Sequence, residues 1–347
     1  MFVEEVTKWY KINKRDLPWR DTKNAYIIWL SEIILQQTRV EQGLPYFHKF
    51  LERYKSVTEF ADASEDEILK LWQGLGYYSR ARNMHATAKI IKNEHNGVFP
   101  CNYETLLKLK GVGEYTAAAI SSFSANEKHA VVDGNVYRLL SRYFGIETAI
   151  DSTIGKKEFK KLAYELLEQA EPFLYNQAVM EFGAIQCKPS SPNCANCPLR
   201  LNCYAYQHEM VDKLPVKDKR TKVKERFFNY LVVKDGTKVL LNKRIAKDIW
   251  QNMYDFPLIE TAERLTESEL IQSSHFEKFK KNTKLYIKSV SDEKKHVLSH
   301  QIIYARFWEI RMENTLLDEF NGVFWVNEDE IDQYAVPKIV DNYLKKF

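Results

Sequence analysis

Cys187, Cys194, Cys197 and Cys203 stand in the stretch CKPSSPNCANCPLRLNC, with six, two and five residues between them. Four thiols in one short loop would be left reactive and half-apolar unless they share a task. Metal ligation is that task, and a structural zinc ion and an iron–sulfur cluster both accept four thiolates. Cys101 lies far away in sequence and reads as an ordinary packed or surface thiol.

A second set of groups lies upstream. In LKLKGVGEYTAAAISSF, Gly111 and Gly113 flank Val112. The glycines permit a tight turn between two helices and leave room for a ligand. A helix starting near Glu114 turns its free N–H groups toward that corner, which suits an anion. Tyr115 stands two positions after the second glycine, and Asp133 follows in VVDGNVYRLLSRYFG, where it also suits a helix cap. Glu32 sits in AYIIWLSEIIL, where nine of eleven residues are apolar. A helix apolar nearly all round is buried, so burial should raise the Glu32 pKa toward the range of a general acid.

The elements that must hold these groups divide in two. At 347 residues, two or more domains are the default expectation. Amphipathic segments around 63–73, 80–95, 103–109, 114–125 and 156–170 make the first 210 residues helical. The stretch 212–226 is basic and aperiodic, as a linker is. Beyond it the period becomes two: Asp235-Gly236 marks a hairpin, HVLSHQIIYARFWEI and GVFWV add strands, and the last dozen residues read as a helix. A net charge of +4 does not by itself announce a nucleic-acid partner. The N-terminus lacks the apolar core of a secretory signal, and no run approaches the roughly 18 apolar residues of a spanning helix. A cytoplasmic protein (nucleoid-associated if bacterial) with reduced thiols is expected.

The cysteine spacing, the hairpin GVGEYTA and the later VDGNV, in that order, resemble the endonuclease III superfamily of DNA glycosylases. Together with LPWR at 17–20, SEIILQQTRVEQ at 31–42 and WQGLGYYSRARNMH at 72–85, they most resemble its adenine DNA glycosylases of the MutY type. The resemblance implies a mainly α helix-hairpin-helix glycosylase domain over 1–211. Its six-helix-barrel part covers about 25–135, and its iron–sulfur part joins the N-terminal segment to about 136–211. It further implies an α+β Nudix-like domain over 227–347 that recognises 8-oxoguanine. That domain lacks the acidic box with which Nudix hydrolases bind magnesium, so nucleotide hydrolysis is not expected.

On this resemblance the four cysteines hold a [4Fe–4S] cluster, and the chain is a monofunctional, monomeric glycosylase. Its partner is duplex DNA carrying adenine opposite 8-oxoguanine or guanine, and no membrane is involved. Glu32 is the general acid, Asp133 stabilises the sugar cation electrostatically or through a short-lived covalent adduct, and Tyr115 positions the pair. Bifunctional relatives carry a Schiff-base lysine at the position of Tyr115, and a tyrosine cannot replace it. Arg15, Leu17, Trp19, Arg20 and Gln177 match the adenine pocket, and packing is an equal role for Leu17 and Trp19. Leu35, Gln37, Thr38, Leu75, Tyr77, Ser299 and His300 match readers of the opposite base, with Tyr77 adjacent to a second candidate, Tyr78. Leu298 stands where the family has phenylalanine. Gly111, Val112 and Gly113 match the phosphate-binding hairpin. The competing expectations are an endonuclease III-like glycosylase/lyase and a catalytically silent iron–sulfur DNA-binding protein.

Overall fold

Helices dominate the chain up to Gln207 because apolar stripes recur at helical spacing and capping side chains mark their starts. In order they are α1 (Phe2–Asn13), α2 (Ala25–Leu35), α3 (Val40–Arg53), α4 (Val57–Asp62), α5 (Glu65–Trp72) and α6 (Ser79–Glu94). There follow α7 (Tyr103–Leu106), α8 (Glu114–Ala125), α9 (Gly134–Phe144), α10 (Thr153–Leu167), α11 (Pro172–Glu181) and α12 (Tyr204–Gln207). Asn24 caps α2 by accepting the N–H groups of Tyr26 and Ile27. Ser64 and Glu67 close a reciprocal capping box at α5, a device worth about 1 kcal/mol.

The computed structural model describes residues 1–218, 223–280, 284–312 and 323–345. Two units emerge: Met1–Asp62 with Asn83–Lys219, and Ala63–Arg82 with Arg220–Phe347. The second unit therefore recruits α5 and the first residues of α6 from within the helical half of the sequence. No helix among the described residues is long and apolar enough to cross a membrane.

In the first unit α2 is buried on nearly every side, with Ile28, Trp29, Leu30 and Ile34 almost fully covered. Trp29, Phe50, Tyr54 and Phe60 pack ring against ring beside it. Each such side chain contributes roughly 2–3 kcal/mol of burial. A second cluster joins α1, α9, α10 and α11 through Val6, Leu140, Phe159, Val179 and Phe182. A π-helical turn, Phe182–Gln186, then delivers the chain to Cys187.

The second unit is a mixed sheet. Its strands are β1 (Lys224–Asp235), β2 (Lys238–Lys243), β3 (Tyr254–Asp255), β4 (Leu258–Thr261), β5 (Leu285–Val290), β6 (Lys294–Val297), β7 (Gln301–Met312) and β8 (Val323–Asn327). The order is β3-β2-β1-β7-β5, with β4 on β1, β6 on β7 and β8 on β2. The long pair β1 and β7 is parallel, from Lys224 opposite Gln301 to Val233 opposite Ile310. Six successive residues of β1 are buried, as expected of a strand covered on both faces. The flanking helices are α13 (Glu267–Gln272), α14 (Ser274–Lys280) and α15 (Lys338–Leu344).

Two boundaries differ from the sequence expectation. β1 begins at Lys224, inside the stretch read as linker, of which residues 219–222 lie outside the described residues. The hairpin turn falls on Gly236 and Thr237, because Asp235 pairs with Lys238. Gly236 supplies the left-handed φ of 58° that such a turn demands.

Candidate active site

Glu32, Tyr115 and Asp133 come together in the first unit. Glu32 is carried on α2, half-buried among that helix's covered apolar neighbours. Tyr115 stands in the first turn of α8, and its hydroxyl donates to Glu32 Oε2 at 2.9 Å. Desolvation pushes the Glu32 carboxyl up to about 7; the Tyr115 hydrogen bond opposes this, and the negative charge of Asp133 adds to it. Burial, helped by the charges of Glu32 and Asp133, holds the Tyr115 phenol far above its ordinary value. Tyr115 is thus a hydrogen-bond donor at neutral pH and not a nucleophile.

Asp133 is the N-cap of α9 and a neighbour of Glu32 at once. Its Oδ1 accepts the N–H groups of Asn135 at 2.9 Å and Val136 at 2.8 Å, while Oδ2 accepts Asn135 Nδ2 at 2.7 Å. Burial raises its pKa, against these three donors. The capping role read from the sequence and the site role are therefore compatible, since Oδ1 is filled by two donors while Oδ2, with one, keeps a lone pair for a further partner.

The hairpin lies just upstream of Tyr115. Gly111 has φ of 79°, and a Cβ there would meet Asn83 Cβ at 2.9 Å, so both backbone and space call for glycine. A Cβ on Gly113 would meet nothing within 4 Å. Gly113 is the N-cap of α8 without a side-chain cap, which leaves the first N–H groups of that helix available to an anion.

Of the residues matched to the adenine pocket, Arg15 and Arg20 converge on Glu181, which the sequence reading does not anticipate. Arg15 donates Nε to Glu181 Oε1 at 2.9 Å and Nη2 to Oε2 at 2.7 Å, and Arg20 also donates to Oε2. Burial opposes ionisation of Glu181, yet the two guanidiniums hold its carboxyl down at about 2. Gln177 is buried one turn earlier on α11. Leu17 and Trp19 are buried, and Trp19 meets Phe47 edge-on at 4.9 Å. The signal for Glu181 was an acid following the apolar run Ala178–Met180, weaker than the one that exposed Glu32 because Asn176 and Gln177 share the helix.

A polar chain leads from Asp133 to the cysteine loop. Asn135, bonded to Asp133, accepts Arg138 Nη2 at 2.9 Å, and Arg138 Nε donates to the Cys187 carbonyl at 2.8 Å. Arg142 donates to Cys187 Sγ at 3.5 Å and to the carbonyls of Lys188, Pro189 and Leu214. All four cysteines are free thiols, and together they line one cavity of about 30 Å³. Burial pushes the Cys197 thiol up to about 11. Among the described residues no three His, Cys, Asp or Glu side chains stand close enough to grip a single metal ion.

The residues matched to opposite-base reading fall on both units. Leu35 and Thr38 are half-buried and Gln37 is exposed in the first unit, Gln37 with φ of 53°. In the second, Leu75 is buried and Tyr77 is 40% exposed, while Tyr78 is 3% exposed and accepts the Gly74 N–H at 3.1 Å. The Tyr77 hydroxyl is hydrogen-bonded to Ser299 Oγ. Ser299 and His300 are exposed in the β6–β7 turn, which the Leu298 N–H closes onto the Gln301 carbonyl at 2.9 Å.

Residues 30–169 match the HhH-GPD superfamily of base excision DNA repair proteins, and residues 229–346 match the NUDIX domain. The adenine DNA glycosylase of Buchnera aphidicola subsp. Baizongia pistaciae is 33% identical over 353 residues, spanning 100% of this chain and 96% of that one. The enzyme of the same name from Mus musculus is 38% identical over 237 residues, which is 66% of this chain and 46% of its own length. Among solved structures, a thermostable thymine-DNA glycosylase is 31% identical with a TM-score of 0.55, covering 60% of this chain and 95% of that one. A non-covalent endonuclease III–DNA complex, 21% identical with a TM-score of 0.53 over the same 60% of this chain and 95% of its own, shares the helical fold. The chain thus belongs to the adenine DNA glycosylase family, within the helix-hairpin-helix superfamily of base excision repair, and is a DNA glycosylase with a C-terminal Nudix-type domain.

Proposed function

We propose that this enzyme hydrolyses the N-glycosidic bond of adenine mispaired with 8-oxoguanine, or more weakly with guanine, in duplex DNA, and does not nick the strand. The observation that carries this reading is the carboxyl pair: Glu32 titrating near 7, hydrogen-bonded to Tyr115 and electrostatically coupled to Asp133. Adenine leaves poorly as an anion. Protonated Glu32 gives its proton to the ring at N7, and the base departs neutral. Ionised Asp133 stabilises the oxocarbenium-like sugar, as one of a pair of carboxylates does in glycosidases. Water then adds to the sugar carbon, its proton restoring Glu32.

The remaining assignments follow the family match. Arg15, Leu17, Trp19, Arg20 and Gln177 form the pocket for a flipped adenine, an extrusion that costs a few kcal/mol. Glu181 keeps the two guanidiniums in place. The amides at Gly111, Val112 and Gly113 hold a DNA phosphate. Leu35, Gln37 and Thr38 on one unit and Leu75, Tyr77, Ser299 and His300 on the other read the opposite strand. Cys187, Cys194, Cys197 and Cys203 line one cavity, and four thiolates are a donor set that a [4Fe–4S] cluster accepts. Such a cluster would tie the loop together through four Fe–S bonds. A cytoplasmic monomer acting on DNA fits these assignments.

The test is a glycosylase assay on duplexes carrying A:8-oxoG, A:G and A:C, with and without alkaline cleavage. Adenine release fastest opposite 8-oxoguanine, with strand breaks only after alkali, is expected. Breaks without alkali, or a covalent product on borohydride reduction, would overturn the monofunctional assignment. Ser299→Ala should narrow the ratio of A:8-oxoG to A:G rates, and an unchanged ratio would remove Ser299 from the reading set.

A further inference from the structure

The segment Ala63–Arg82 belongs by sequence to the helical half but folds with the C-terminal sheet, and what fastens it is polar. Asp66 accepts Lys243 Nζ on both carboxylate oxygens at 3.1 Å, and the Tyr254 hydroxyl on Oδ2 at 3.0 Å. The Lys243 ammonium also lies 5.0 Å from the centre of the Tyr254 ring. Beside it, Glu65 accepts Asn252 Nδ2. Lys70 Nζ donates to the Tyr334 carbonyl at 3.1 Å, Gln73 Oε1 accepts the Val336 N–H at 3.1 Å, and Arg82 donates to the Gln251 carbonyl at 2.9 Å.

These contacts grip both stems of the loop Gln73–Tyr78. Within it Gly74, Gly76 and Tyr77 have φ of 96°, 78° and 49°. Left-handed conformation at a tyrosine is strained and persists only when its surroundings impose it. The loop ends on the Tyr77 hydroxyl, bonded to Ser299 Oγ. An acid in the first turn of α5 suits the helix dipole, as Glu65 and Glu67 do too, but that preference does not call for the contacts Asp66 makes with Lys243 and Tyr254. Folding does not account for them either. With Asp66 and Lys243 48% and 36% exposed, the ion pair adds little to stability.

We propose that Asp66 is a positioning residue for reading the base opposite the excised adenine. By holding Lys243 and Tyr254 it sets the loop stem so that the hydroxyls of Tyr77 and Ser299 meet. This rests on the opposite-base assignment made above.

The experiment compares single-turnover adenine release from A:8-oxoG and A:G duplexes for the full-length wild type and Asp66→Asn. The expected result is a fall of about fivefold to tenfold in the A:8-oxoG to A:G rate ratio, a misplacement effect. The A:G rate should stay within about twofold and the melting temperature within about 3 °C. Adding Ser299→Ala to Asp66→Asn should cost no more than Ser299→Ala alone, as expected of residues acting as one unit. The swapped pair Asp66→Lys with Lys243→Glu should recover at least part of the ratio. An unchanged ratio in Asp66→Asn, or equal losses on both duplexes with a lowered melting temperature, would overturn the proposal. A wild-type ratio of one would instead overturn the opposite-base assignment, and this inference with it.

Discussion

A carboxyl that titrates near 7 rather than 4.5 is about half protonated at neutral pH, and the same shift ties Glu32 to stability. Its folded pKa lies above its unfolded one, so its favourable contribution is full below about 4.5 and is lost as pH rises through about 7. That difference corresponds to about 3 kcal/mol. Glu32→Gln keeps the shape and an acceptor for Tyr115 but cannot ionise. The stability of that variant relative to wild type, measured by denaturant titration, should therefore rise by about 3 kcal/mol between pH 4 and pH 8.5. A pH-independent difference would mean that Glu32 is not desolvated. Asp133 separates two roles in the same way. Asn is as good an N-cap as Asp but cannot accept Asn135 Nδ2 on its amide nitrogen, so Asp133→Asn should cost no more than about 1 kcal/mol and still lose adenine excision by at least about a hundredfold. Asp133→Ala should lose the same activity and, in addition, about 1 kcal/mol of stability.

Among elements, the α7–α8 hairpin makes the sharpest demand on sequence. Gly111→Ala forces a side chain into a left-handed position against Asn83, which should cost about 1–3 kcal/mol and weaken DNA binding in a fluorescence titration. Gly113→Ala, in extended backbone facing open space, should spare stability and weaken binding. Much of this was legible beforehand. The helix around Glu32 announced its burial because apolar residues fill its whole circumference, and the hairpin announced itself through two glycines before a strong helix former. The pairing of Glu181 was not legible, because its partners Arg15 and Arg20 lie more than 160 residues away and nothing in local periodicity encodes that meeting. The short strands β3 and β4 and the helices α13 and α14 escaped for another reason. Each is too brief to establish a period, and pairing with β1 and β2, or packing on the sheet, defines them instead. The neighbouring tyrosines 77 and 78 are equivalent on paper and become distinct only when the backbone exposes one and buries the other.

At the scale of the molecule, two units with different physics share one chain. The helical unit holds the carboxyl pair and the cysteine loop, whereas the sheet unit takes in Ala63–Arg82 and presents Tyr77 and Ser299. The sheet begins inside the basic stretch read as linker, and that division of the sequence gave no hint of the recruited segment, whose amphipathic pattern fits either unit. The cysteine loop makes a prediction about the purified protein. Analysis should find about four iron and four sulfide per chain, falling in Cys197→Ser, and one equivalent of zinc instead would contradict the cluster assignment. The central claim, that a proton held by Glu32 drives departure of the base, is tested most directly by single-turnover adenine release from pH 5.5 to 9 in wild type and Glu32→Gln. The account predicts a wild-type rate that falls as pH rises through about 7 and a variant slower by at least about a hundredfold at pH 5.5, with the gap narrowing above 7. A variant within tenfold of wild type at pH 5.5, or a wild-type rate indifferent to pH over that span, would contradict it.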